Sequence, residues 1–304
     1  EIILRSNQFC NLSEVVIREG DTLASLKKKV ETAAIIGTLQ ATLTDFRYLR
    51  NLWKRNTEEE ALLGLSMTGI MDHPTLGNSS DKTKQWLEEL KEVAITTNKI
   101  WAEKLGIAQS VAITCVKPSG TVSQLVDSAS GIHPRFSKQY IRRVRSDKKD
   151  PLAVFMENKG FPVEQDVMSP ASAVFSFPVK APEKSVTVAE VGAMQQLELW
   201  KTYQNHWCEH KPSITVYYTD NEFLQVAQWI WDNFEICSGI SLLPVSDHVY
   251  QQAPYEDISI EKYNELLAAM PQGVSWEDLE NFEQEDNTTG SQELACTGGA
   301  CEIV

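Results

Sequence analysis

Val111-Ala-Ile-Thr-Cys-Val116, followed directly by Lys117-Pro-Ser-Gly-Thr-Val-Ser123, is the stretch on which the reading of the fold turns. Its first six residues are apolar and β-branched enough for a short buried strand. Pro118 and Gly120 then break the run. A small-residue turn leaving a strand presents successive backbone N–H groups and hydroxyls, which can hold a phosphate without many charged side chains. No Gly-Lys pair closes the motif, so it is not a Walker loop, and taken alone a plain turn is the better reading. The candidate phosphate-contacting residues are Pro118, Ser119, Gly120, Thr121, Val122 and Ser123.

On either side the pattern becomes helical. Apolar residues at Leu23, Leu26, Val30, Ala33, Leu39, Leu43, Phe46 and Leu49 predict a long helix over 22–52, capped by Asp21 or Thr22 and with a possible break near Gly37. Trp86, Leu87, Leu90, Ala94, Trp101 and Leu105 predict a second helix over 83–105, closed by Gly106. Further strands are expected at 140–144, 173–179, 213–218 and 239–243, and helices at 151–158, 188–203, 221–234 and 259–269. Strands separated by helices of this length indicate parallel crossover units and an α/β fold.

The chain has 304 residues with 28 basic and 42 acidic side chains, a net charge of −14. At 42% hydrophobic and 23% charged residues it has the composition of a folded globular protein. The length suits about two domains, or one large domain with a tail. The first residue is Glu1 rather than methionine, which suggests a processed or partial chain. No apolar run approaches the roughly 20 residues of a membrane span, and no signal-peptide pattern opens the sequence, so a cytoplasmic location is expected. The acidic surplus argues against a general nucleic-acid binder. The basic cluster from Arg135 to Lys149, with Arg142, Arg143, Arg145 and Lys148, is the place where a small anion could be received.

The six cysteines are too few for a disulfide scaffold in a chain of this length, which leaves redox or metal chemistry as the question. From Trp276 the sequence turns acidic and then small and polar, and 276–304 is read as a flexible tether. It carries Ala295-Cys-Thr-Gly-Gly-Ala-Cys-Glu302. Glycines between Cys296 and Cys301 let the thiols approach, so a redox relay is the leading reading, against a pair of incidental thiols. Cys10 by itself reads as a small core residue, as do Cys115 and Cys237. His206, Cys208 and His210 lack the further ligands of a convincing metal site, and none is assigned. His133, in a loop after the small-residue turn, is open between a ligand-facing role and an ordinary satisfied histidine.

Taken together these segments resemble one family, the adenosylcobalamin-dependent (class II) ribonucleotide reductases, and within it the ribonucleoside-triphosphate reductase branch. Glu1-Ile-Ile-Leu-Arg-Ser-Asn-Gln-Phe-Cys10 is similar to the stretch from the catalytic glutamate to the second active-site cysteine. Leu62-Leu-Gly-Leu-Ser-Met-Thr-Gly69, Val116 to Ser123 with Gly131-Ile-His-Pro134, Trp207 to Thr215, Gln252 to Glu256 and the terminal cysteines follow in family order. The resemblance implies the C-terminal half of a ten-stranded α/β barrel over 1–275, with the tether over 276–304. It implies Glu1 as general base, Cys10 as one of two reducing thiols, Cys296 and Cys301 as the shuttle pair, and 118–123 as the substrate-phosphate loop. It implies adenosylcobalamin as cofactor, a ribonucleoside triphosphate as substrate, and thioredoxin or a similar dithiol protein as reductant. The family's radical cysteine would stand two residues before Glu1, so a partner supplying the N-terminal half is also implied. The rival reading is a non-catalytic nucleotide-binding or assembly fragment, and a third is a dithiol module acting through the tail alone.

Overall fold

The computed structural model describes residues 1–183, 185–245 and 251–283. In chain order its elements are β1 (Asn11–Val16), α1 (Leu23–Gln40), α2 (Asn51–Glu60), β2 (Leu63–Thr68), α3 (Asp81–Leu105), the short α4 (Val122–Leu125), β3 (Gln139–Asp147) and α5 (Pro151–Asn158). There follow β4 (Val163–Gln165), β5 (Ser172–Lys180), α6 (Ala193–His206), β6 (Ile214–Tyr218), α7 (Phe223–Asp232), β7 (Ile240–Pro244), β8 (Tyr255–Asp257) and α8 (Ile260–Ala269). These divide into two units, which within the described residues are 1–135 with 185–245, and 136–183 with 251–283.

The first unit is built on parallel pairing. β1 runs parallel to β2, with Leu12 opposite Gly64 and Glu14 opposite Ser66. Segment 113–116 lies on the other side of β2, where Leu65 bridges Thr114 and Cys115 N–H donates to Leu65 O at 3.0 Å. Val116 in turn bridges Pro212, just ahead of β6, and β6 pairs in parallel with β7. The result is an open parallel array in the order β1, β2, 113–116, 212–218, β7. The sheets are small and none closes on itself among the described residues, so the α/β class is present and the expected barrel closure is not seen in them.

The helices of this unit pack their apolar faces into a core shared with the array. Leu26, Val30, Ala33 and Ala34 of α1 and Leu87, Leu90 and Ala94 of α3 join Leu63, Leu65 and Met67 of β2 in a single core. α1 starts where expected, with Thr22 accepting from Ser25 N–H, but it ends at Gln40 rather than continuing to 52. Gly37 does not break it. A Cβ there would stand 3.3 Å from both methyls of Leu63, so the glycine lets helix and sheet approach closely. α3 matches its expected span, and Gly106 closes it in the left-handed conformation at φ 69°. Trp200 and Trp207, both fully buried, donate their indole N–H to Pro212 O (3.0 Å) and Cys115 O (2.8 Å). Each ring stabilises by roughly 1.5–3 kcal/mol on burial while fixing two neighbouring segments of the array.

The second unit departs from the all-parallel expectation. Its sheet is antiparallel, in the order β4-β5-β3-β8. Phe155 of α5 and Phe161 pack against Trp276 at ring-centroid distances of 5.5 and 5.9 Å. Trp276 opens a 3₁₀ turn over Trp276–Asn281, so packed structure continues beyond the expected boundary at 275. The basic cluster is spent on internal partners rather than left for an anion. Arg143 pairs with Glu256 at 2.5 Å, Arg145 with Asp166 at 3.4 Å, and the Arg142 guanidinium lies 4.7 Å from the centre of the Tyr255 ring. Among the described residues no helix is long and apolar enough to cross a membrane.

Candidate functional site

Residues 1–10 are irregular in backbone, yet they are held at many points. Gln8 is buried and its amide donates to Asn56 O (3.2 Å) and Glu60 Oε2 (2.6 Å), while Phe9 N–H donates to Thr57 Oγ1 at 3.2 Å. Arg5 pairs with Glu59 and Glu60. At the start of the stretch, Lys211 N–H donates to Glu1 O at 3.1 Å and Ile3 N–H to His210 Nδ1 at 3.3 Å. His210 is buried, and its Nε2 lies 2.7 Å from Leu63 O. Burial pushes the imidazole below its usual pKa, which favours the neutral ring with Nε2–H donating and Nδ1 free to accept. His210 is thus a backbone clamp on the Glu1 segment, and His206 pairs with Glu88 instead. Among the described residues no group of three or more His, Cys, Asp and Glu could hold a metal ion.

Cys10 leads into β1 and its sulfur lies 3.4 Å from where a Cβ on Gly64 would stand. Burial pushes its thiol up to about 12. Cys115 is fully buried and its pKa is also raised, first by burial and then by the charges of Cys10 and Glu1. Cys10 and Glu1 thus both act on the Cys115 thiol, and a Cβ on Gly64 would stand 2.8 Å from the Ile2 side chain and 3.4 Å from the Cys10 sulfur. Thiols held protonated by burial can supply hydrogen and electrons from sulfur; they are poorly suited to thiolate attack. With an ordinary thiol at 9.0 and Cys10 at about 12, roughly a thousandfold less thiolate is available to Cys10 at pH 8. Alkylation of Cys10 by iodoacetamide, followed by mass spectrometry, is expected to be correspondingly slow at pH 8 and to accelerate steadily up to pH 11. Rapid labelling at pH 8 contradicts this.

The loop after segment 113–116 is the second part of the site. Lys117 N–H donates to Ser66 Oγ at 2.9 Å, and Ser130 Oγ donates to Pro118 O. Ser119 takes a left-handed conformation at φ 52°, and Ser123 N–H donates back to its carbonyl at 3.1 Å. The N–H groups of Gly120, Thr121 and Val122 find no acceptor among the described residues, and Ser123 Oγ is buried without a partner. Donors left without a protein acceptor on a turn with one left-handed residue can accept an anion. Gly131 supports the turn from behind at φ 56°, and a Cβ there would stand 2.3 Å from Lys117 O. Gly131→Ala must therefore displace backbone. It is expected to lower stability by more than about 1 kcal/mol, read as a drop in Tm.

β1, missed in the sequence, is what joins the two parts. Alternation along it puts Leu12 and Glu14 on one face, and Glu14 is paired in register with Ser66. Its carboxylate accepts from Ser119 Oγ at 2.5 Å, and Lys117 Nζ is 3.9 Å away. A period-two reading of 10–16 would have flagged Glu14. His133 is a satisfied loop histidine: its Nδ1 lies 2.9 Å from Ser130 O and its Nε2 accepts from Thr215 N–H at 2.9 Å. Cys296 and Cys301 lie outside the described residues.

No family model matches the chain. It is 27% identical over 337 aligned positions to the adenosylcobalamin-dependent ribonucleoside-triphosphate reductase of Lactobacillus helveticus (strain DPC 4571), covering all of this chain and 44% of that protein. The enzyme of the same name from Euglena gracilis is 29% identical over 276 positions, covering 90% of this chain and 37% of its own length. The chain thus spans less than half the length of the curated relatives it matches. Among solved structures, a B12-dependent (class II) ribonucleotide reductase superposes with a TM-score of 0.74 at 23% identity, over 93% of this chain and 42% of that one. In sequence the chain is similar to the adenosylcobalamin-dependent ribonucleoside-triphosphate reductases, and it shares its fold with the class II enzyme.

Proposed function

We propose that this chain is the C-terminal part of a ribonucleoside-triphosphate reductase that uses adenosylcobalamin to make 2′-deoxyribonucleotides in the cytoplasm. The observation that supports this reading is a chain similar over its whole length to reductases of that name, with Glu1, Cys10 and the 118–123 loop all in its parallel unit. The open array of the first unit would be half of a ten-stranded barrel, with the other strands and the radical cysteine supplied by a segment outside this sequence. The catalytic part would extend past 275 through the packed stretch to 283, and the tether would be carried by the residues beyond it.

In this reading the loop holds the nucleotide by its phosphates, through the free N–H groups of Gly120, Thr121 and Val122 and the Ser123 hydroxyl. That leaves the ribose between Glu1 and Cys10. Adenosylcobalamin, when bound, supplies the radical equivalent that begins the reaction. Buried, protonated thiols fit such chemistry, because they give up hydrogen without first becoming thiolates. Glu1 takes the 3′-hydroxyl proton and so assists departure of the 2′-hydroxyl as water. Cys10 and a second thiol provide the two electrons and end as a disulfide. Exchange with Cys296 and Cys301 restores them, and thioredoxin or a similar dithiol recharges the tail.

The test combines the chain with the upstream segment of a reductase, a ribonucleoside triphosphate, adenosylcobalamin and dithiothreitol, with chromatographic detection of product. Deoxynucleotide is expected in the complete mixture and in none that omits a component. Absence of product while both pieces are folded and associated overturns the proposal.

A further inference from the structure

Residues 5–9 form a tight turn between Glu1 and Cys10, and Gln8 is the side chain that closes it. Asn7 stands in the left-handed region at φ 58°. Gln8 is 4% exposed and its amide uses both hydrogens and the oxygen: it accepts Arg5 N–H at 3.0 Å and donates to Asn56 O and Glu60 Oε2 at 3.2 and 2.6 Å. α2 holds the neighbouring residues as well, through Asn56 Nδ2 on Ser6 O at 3.0 Å and Thr57 Oγ1 under Phe9 N–H at 3.2 Å. Only Ala61 and Leu62 separate α2 from β2. Gln8 is therefore tied to the residue that ends α2, while the Cys10 sulfur lies at Gly64, four positions further on. The apolar pattern of β1 does little to set that alignment, because Val15 is the one buried residue of the strand and Leu12 is 47% exposed. A strand whose two faces are so weakly distinguished can slip, and a slip of one residue turns each side chain to the opposite face.

We propose that Gln8 is a positioning residue for the Cys10 thiol, pinning the turn to α2 so that the sulfur is seated in the notch that Gly64 leaves in β2. A Cβ at Gly64 would overlap Leu12 as well as meeting Ile2 and the sulfur, so the notch brings two apolar side chains to the same place as the thiol. The burial that keeps this thiol protonated thus belongs to one alignment of β1 on β2. Arg5 cannot take over the task. Its side chain is 39% exposed and can follow Glu59 and Glu60 through other rotamers, whereas the buried Gln8 amide breaks three hydrogen bonds at once when it leaves its place. The importance of Gln8 for turnover rests on the reading of Cys10 as a reducing thiol; its effect on the thiol itself does not.

The test is alkylation of the full 304-residue chain by iodoacetamide at pH 8, with the rate at Cys10 read by peptide mass spectrometry against the rate at Cys237, a partly exposed thiol between α7 and β7. Gln8→Leu keeps a side chain of similar bulk without the amide. Cys10 is then expected to react about tenfold or more faster, because a thiol brought back by one pH unit from about 12 toward the ordinary 9.0 yields about tenfold more thiolate. The Cys237 rate and the tryptophan fluorescence should stay as in wild type. An unchanged Cys10 rate in folded Gln8→Leu overturns the proposal, and so does an equal rise at Cys10 and Cys237, which would mean general loosening. If that protein does not fold, a charge exchange decides. Gln8→Glu sets a second carboxylate against Glu60 and should speed Cys10, whereas Gln8→Glu combined with Glu60→Gln again pairs one amide with one carboxylate and should return the rate most of the way to wild type. No rise in the single variant, or no return in the double, overturns the proposal. No nucleotide or cofactor takes part, so these outcomes leave the reductase reading standing, and failure of the reconstituted mixture to form product leaves the seating of Cys10 untouched.

Discussion

Glu1→Gln, in the chain completed by its upstream segment, is expected to lower kcat by about 10²–10⁴-fold while leaving KM for the ribonucleotide nearly unchanged. The two effects separate because the proposed function gives Glu1 a proton transfer and gives the substrate's phosphates to the loop, where other groups offer free donors. Glutamine preserves the shape of the side chain but cannot accept the 3′-hydroxyl proton. Position matters as much as charge. The backbone of Glu1 is tied to Lys211, and Ile3 to His210, so the segment is already clamped and the variant should keep its geometry. Steady-state kinetics with varied ribonucleotide decide the matter. A rise in KM with kcat preserved would mean that Glu1 binds substrate and takes no part in the chemistry.

The legible parts of the sequence were those where one physical signal dominates. The α3 pattern, its stop at Gly106 and the strands over 173–179 and 213–218 are written as strong periodicity or β-branched runs, and the structure has them. β2 was not legible because it is buried along its whole length: Leu-Gly-Leu-Ser-Met-Thr shows no polar alternation to announce a strand. Gly37 misled because a helical glycine has two meanings, and only the presence of Leu63 against it selects close packing over a break. The antiparallel sheet of the second unit was hidden for a related reason. Helix–strand alternation gives crossover connections when strands are neighbours in order, but β3 pairs with β5 and β8 across intervening elements. In the candidate site, Cys10 and the 118–123 loop were assigned only through the family resemblance, since Cys10 by itself reads as a small core residue and the loop as a plain turn. Glu14, Lys117, His210 and Cys115 could not be assigned at all, because their roles come from juxtaposition across the array. The Arg135 side chain illustrates the same limit: in sequence it belongs to a basic cluster, and in the fold it is a buried partner of two aspartates.

That burial makes Arg135 the position where a single change should cost most in stability. Its side chain is 4% exposed and forks onto Asp72, with Nε at 3.1 Å from Oδ1 and Nη2 at 3.0 Å from Oδ2, while Nη1 reaches Asp127 Oδ1 at 2.8 Å. Burial alone would lower its pKa, but Asp72 and Asp127 outweigh that and hold the guanidinium charged. Asp72 also accepts Ala129 N–H at 2.7 Å, and Arg18 donates to Asp127 O at 2.7 Å, so the network fixes the turn that follows the phosphate loop. Arg135→Met leaves Asp72 buried without its counter-charge, and such a loss costs about 3–5 kcal/mol. Lysine cannot reproduce the two-pronged contact and should recover only part of it. The pair Arg135→Met with Asp72→Leu removes both charges and is expected to regain most of the loss, since the penalty lies in the orphaned aspartate more than in the missing bond. Urea unfolding followed by tryptophan fluorescence measures all three, with Trp200, Trp207 and Trp229 reporting from the core of the same unit. If the double variant is no more stable than Arg135→Met, the network stabilises through its specific hydrogen bonds to the 126–129 turn, and charge compensation at Asp72 is the lesser effect.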